Sequence, residues 1–107
     1  MSNQLDKNRI SRDSLVVAVK DQVSATLADE VVILHLGNGV YYGLNPVGAR
    51  IWNLLEQPRT VGEIRDILLE EYEVQPQILE EDLLRLLGEL AEHGLIEVRS
   101  EASPKVC

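Results

Sequence analysis

The stretch VVILHLGNGVYYGLNPVGARIWNLLEQPRTVGEI, residues 31–64, changes its apolar period once, at Asn45, and that change decides the fold. Before Asn45, Val31 to Leu36 is apolar and β-branched, and Gly37-Asn38-Gly39 tolerates positive φ ahead of Val40-Tyr41-Tyr42-Gly43-Leu44. Two strands around Gly-Asn-Gly predict a hairpin. A three-residue loop places Val32, Leu34, Leu36, Val40, Tyr42 and Leu44 on one face, an unbroken apolar set. A two-residue Asn38-Gly39 turn mixes Ile33 and His35 with Tyr42 instead. A slip of one residue flips every side chain, so the apolar set favours the longer loop. After Asn45 the period is helical. Asn45 is a good N-cap and Pro46 a good first helical residue; Val47, Ile51, Leu54 and Leu55 then share a face with Trp52 beside them, until Pro58 closes the segment.

Working outward, Leu15 to Val19 and Val23 to Ala28 add strand signals upstream. Downstream, Thr60-Val61-Gly62-Glu63 spells a capping box ahead of a stripe of Val61, Ile64, Ile67, Leu68 and Tyr72. A third helix is expected from Pro76 to His93, with Gly94 as its C-cap and Leu79, Leu83, Leu86, Leu87 and Leu90 as its stripe. Leu95 to Val98 fits either a short strand or a segment packed underneath. Leu87, Leu90, Trp52 and Ile64 are assigned to the core. The fold class is α+β, a winged helix-turn-helix with an N-terminal three-stranded antiparallel sheet followed by three helices. Residues 1–14 and 100–107 read as flexible tails around a single domain at 15–99.

The 107 residues suit one domain. No apolar run approaches the ~18–20 residues of a membrane helix, and the polar start MSNQLDKNRISRDS has no secretory h-region. Cys107, the single cysteine, predicts neither a disulfide nor a metal cluster, and a reducing cytoplasm is the expected home. The net charge of −8 is uneven. Residues 1–59 hold six Lys/Arg and six Asp/Glu, whereas residues 60–107 hold four against twelve. The third helix offers Glu80, Glu81, Asp82, Glu89 and Glu92 against Arg85. A recognition helix needs basic and amide side chains, so nucleic acid is not an expected partner.

Catalysis finds few candidates. His35 and His93 are 58 positions apart; His93 suits the last turn of a helix electrostatically, and His35 a sheet face. Glu70-Glu71 and Glu80-Glu81-Asp82 read as solvated helix faces. Gly37, Gly39 and Gly43 open no helix and make no phosphate loop. Without a base, nucleophile or metal in a cleft, the expectation is a binding module with no catalytic residue, metal or cofactor. The strand Val40–Leu44 carries no Lys or Pro guard, and an unguarded edge beside an apolar helix is the geometry for adding a peptide as an extra strand.

Three motifs carry a resemblance. They are "GxYYxLNxxGxxIW" at Gly39–Trp52, "RTVxEI" at Arg59–Ile64 and "DLLxLLxxLxxxGLI" at Asp82–Ile96. Together they resemble the PqqD-like RiPP recognition elements, small winged-helix domains of ribosomal-peptide biosynthesis. The resemblance spans about Val23 to Val98 and is closest to the free-standing lasso-peptide type. It implies a non-catalytic protein that binds the leader of a precursor peptide and delivers it to a leader peptidase of the cysteine-protease kind, with a cyclase acting afterwards. A peptide chaperone of pyrroloquinoline quinone synthesis is the neighbouring possibility; a winged-helix DNA binder and a purely structural subunit are the others. Carried onto this chain, the strand edge is Val40, Tyr41, Tyr42, Gly43 and Leu44, and the helix wall Leu79, Asp82, Leu83 and Leu86. Leu84, Leu87 and Ala91 line the opposite edge of the helix and are equally apolar, so spacing does not choose between the two.

Overall fold

The structure, a computed structural model, describes residues 10–100. The tail assignments for residues 1–9 and 101–107, Cys107 included, lie outside the described residues. Six strands and three helices follow in the order β1 (Ser14–Ala18), β2 (Gln22–Leu27), β3 (Glu30–His35), β4 (Tyr41–Leu44), α1 (Pro46–Leu54), β5 (Arg59–Thr60), α2 (Val61–Glu71), α3 (Pro76–Glu92) and β6 (Ile96–Ser100). The antiparallel sheet β2-β3-β4 precedes the helices, as expected. The Leu15–Val19 run does not join it. Instead β1 forms the centre of a second sheet, β5-β1-β6, pairing Val16 with Val98 and Ala18 with Ile96. The segment after α3 is therefore a strand, and Ser14, placed in the tail by the sequence reading, opens β1.

The helix boundaries follow local chemistry. The Asn45 side chain accepts the Gly48 N–H at 2.9 Å, with Pro46 at the first helical position. Thr60 and Glu63 form the reciprocal capping box, at 3.1 and 3.0 Å. Ile33, Leu55, Ile64, Leu68, Leu83, Leu87 and Leu90 are fully buried between the helices and the sheets, with Trp52 at 4% exposure. Two stripe residues depart from expectation, since Val47 is 42% and Tyr72 37% exposed.

The hairpin register also differs from the favoured one. Ile33 pairs with Tyr42 and Val31 with Leu44, so Val31, Ile33, Tyr42 and Leu44 face the core while Val32 and Leu34 face outward. The loop has four residues, 36–39. His35 explains why: its Nδ1 accepts the N–H groups of Gly37 at 3.0 Å and Asn38 at 3.3 Å. The Asn38 side chain accepts from Val40 N–H at 3.0 Å. An imidazole that satisfies turn amides is tolerated at the end of the inner face, and Gly39 supplies the left-handed φ of 74° that the turn requires.

Two of the carboxylates read as solvated form ion pairs between elements. Arg50 of α1 grips Glu71 of α2 through two bonds, 2.9 and 2.6 Å, which hold the Glu71 carboxyl below its ordinary range. Glu80 meets Arg12 at 3.2 Å and Arg65 at 3.4 Å.

Candidate functional site

Strand β4 is an edge strand, bonded to β3 on one side. The ladder dictates what its other side offers. His35 N–H donates to the Val40 carbonyl at 3.0 Å. Antiparallel alternation then turns the main-chain groups of Tyr42 and Leu44 toward β3 and those of Tyr41 and Gly43 toward the open edge. Among the described residues no strand pairs along that edge, and β1 belongs to the other sheet. A Cβ at Gly43 would meet nothing within 4 Å, so the outer face of the strand is open there. Val40, expected in the strand, lies just before it and is 43% exposed.

Where β4 ends, a cavity of about 410 Å³ opens between α1 and α3. Leu79, Asp82, Leu83 and Leu86 line its α3 side, and Asn45, Val47, Gly48 and Ile51 the other. Leu79, Leu83 and Ile51 form a buried floor, whereas Leu86 is half-buried and Val47 exposed. Glycine at 48 allows the close fit at this junction, because a Cβ there would sit 3.2 Å from two carbons of Leu44. Of the opposite helix edge, Leu87 is wholly buried and Leu84 and Ala91 pack against the core. Thus the structure gathers the four expected helix residues around one cavity. The α1 wall, Arg85 and Glu89 were missed; Val47 was legible only as a stripe residue, since four-residue spacing from Ile51 also fits a groove wall.

Polar contacts surround Tyr42 and the rim of the cavity. The Tyr42 hydroxyl donates to Glu89 Oε1 at 2.7 Å. Partial burial first, and then that bond, push the Tyr42 pKa up to about 12. The His93 ring lies 4.9 Å from the Tyr42 ring, and its Nδ1 is 2.8 Å from the Glu89 carbonyl. Asp82 and Arg85 pair at 2.7 Å on the exposed rim.

A larger cleft, about 690 Å³, lies between the two sheets. It contains no residue of β4 or α3, and Lys20, Glu56, Glu97 and Arg99 stand in its walls. The smaller cavity has the more apolar floor, and its Asn45 follows directly on β4. Among the described residues no group of three His, Cys, Asp or Glu could hold a metal, and no helix is long and apolar enough to cross a membrane.

The family described as coenzyme PQQ synthesis protein D (PqqD) matches residues 30–96. Among curated proteins none matches. Similar solved structures include TbiB1 in complex with the TbiA(β) leader peptide, with 44% identity, a TM-score of 0.71, and coverage of 76% of this chain and 94% of that one. A lasso peptide synthetase B1 complexed with the leader peptide is 26% identical, with a TM-score of 0.68 over 77% of this chain and 96% of the other. The PqqD truncation of Methylobacterium extorquens PqqCD, a stand-alone RiPP recognition element, has 21% identity and a TM-score of 0.72, covering 86% and 98%. That last likeness speaks for the fold alone.

Proposed function

Because the chain belongs to the PqqD family, we propose that it captures the leader segment of a ribosomally made precursor peptide, of the lasso class, and presents it to separate enzymes. The open edge of β4 beside the α1–α3 cavity carries this reading. Tyr41 and Gly43 offer two donors and two acceptors, so an incoming strand forms four hydrogen bonds. At about 0.5–1.5 kcal/mol net per bond, these offset only the low end of an association cost of about 4–15 kcal/mol. An apolar anchor is therefore required, contributing roughly 1.5–3 kcal/mol per side chain, and Leu79, Leu83 and Leu86 provide its seat. The likeness to TbiB1, solved with a leader peptide, supports the same assignment.

In this role the chain binds and does not catalyse. A leader peptidase of the cysteine-protease type receives the bound precursor, and a cyclase acts on the product, in the cytoplasm. The acidic exposed side of α3 disfavours DNA, which needs phosphate neutralisation.

The test is a fluorescence-anisotropy titration of the full chain against fluorescein-labelled TbiA(β) leader peptide. Saturable binding is expected, and Leu86→Glu, checked for a cooperative melt, should weaken it by orders of magnitude because a carboxylate is buried beside the anchor. A folded Leu86→Glu protein that binds as tightly as wild type moves the anchor away from this cavity. No saturable binding by the wild type overturns the proposed role.

A further inference from the structure

The Tyr42–Glu89 contact lies next to the peptide edge but touches neither of its outward-facing residues. We propose that this hydrogen bond is the positioning contact of the peptide site, holding β4 at a fixed pitch against α3 so that Tyr41 and Gly43 meet the leader pre-oriented. The inference rests on the reading of this edge as the leader site. It makes Glu89 a positioning residue acting through Tyr42.

The strand needs such a contact. It has four residues, is laddered on one side, and enters α1 one residue after it ends. Its second inward side chain, Leu44, is fixed against α1 at Gly48, which settles one end. Tyr42 settles the other. It stands between Tyr41 and Gly43, so any rotation of the Tyr42 side chain about the strand axis swings both outward pairs of main-chain groups. The bond spans 47 positions of sequence and joins elements with no direct connection. It is also short, at 2.7 Å, and charge-assisted. One helical turn holds the ring at two points, because the His93 ring lies 4.9 Å from it, tilted by 50°, with its Nδ1 2.8 Å from the Glu89 carbonyl. A strand already held in its binding orientation loses less freedom when a peptide arrives.

This arrangement predicts a pattern that a direct charge on the peptide would not give. Tyr42→Phe keeps the ring and loses the bond, Glu89→Ala loses the acceptor, and Glu89→Gln keeps a carbonyl acceptor without the charge. With the labelled TbiA(β) leader as probe, Tyr42→Phe and Glu89→Ala should each weaken binding roughly tenfold, because a strand no longer held must be ordered when the peptide arrives. The double variant should be no weaker than either single one, since both remove the same contact. Glu89→Gln, which keeps a weaker neutral bond, should fall between wild type and Glu89→Ala. Absorbance titration should find one tyrosine ionising near 12 in wild type and at lower pH in Glu89→Ala, where burial alone still raises it. Unchanged affinity in Tyr42→Phe, or Glu89→Gln falling as far as Glu89→Ala, overturns the positioning role. Absence of binding by the wild type overturns the leader-site reading, and this inference with it.

Discussion

At the scale of single residues, Tyr42 couples the site to pH in a direction that its surroundings fix. Its ionisation is raised from 10.0 to about 12 by burial and by the Glu89 carboxylate. A folded pKa above the unfolded one means the protonated phenol stabilises the fold fully below pH 10. That contribution is lost as pH rises through about 12. Denaturant midpoints of wild type and Tyr42→Phe should therefore converge as pH rises above 10, and a gap independent of pH would show that the phenol proton is not held. Residue chemistry of this kind is legible in sequence only when both partners are local. Asn45 with Gly48, and Thr60 with Glu63, cap their helices within three positions, and their roles can be read from spacing. Glu89 looks like one more acid on a solvated face until folding brings Tyr42 to it. Glu71 looked the same until Arg50 came within reach.

At the scale of elements, the β3–β4 ladder separates what holds the sheet from what is free to bind. Gly43 faces Val32 in a pair that exchanges no main-chain hydrogen bonds, so its N–H points outward. Gly43→Pro removes that donor while leaving the bonds to β3 intact, a substitution edge strands accept. The melting temperature should stay close to wild type, while leader affinity falls roughly tenfold for a lost bond and an obstructed approach. Gly43→Ala is the control, since its Cβ enters open space and should leave binding unchanged. A Gly43→Pro protein with full affinity would show that the peptide does not pair along β4. The hairpin itself was plain in the sequence, but its register was not, because β3 is apolar on both faces. Counting apolar residues per face cannot choose between Val32-Leu34 and Val31-Ile33. The choice falls to His35 and Asn38, whose side chains satisfy the turn amides.

At the scale of the whole molecule, the two sheets divide the work, one bearing the candidate edge and the other bringing residues 14–18 and 96–100 together. The second sheet was not legible, because its pairing of Ser14 with Ser100 depends on the chain closing on itself, and no local pattern encodes that. The helices were legible because their stripes and caps are local, and four of the five stripe residues of α3 are buried as read. This division predicts that stability and binding can be changed separately. Ile96 is 5% exposed in β6, pairs with Ala18 and lines neither the cavity nor the edge. Ile96→Val should cost about 0.5–1.5 kcal/mol and Ile96→Ala about 2–5 kcal/mol, at roughly 4–8 °C of melting temperature per kcal/mol in a domain of this size. Below its own transition, each variant should bind the TbiA(β) leader with wild-type affinity. Ile96→Val keeps the comparison available if Ile96→Ala is partly unfolded at the working temperature. Affinity that falls in step with the melting temperature, measured where both variants are fully folded, would mean that the second sheet shapes the groove as well as holding the fold.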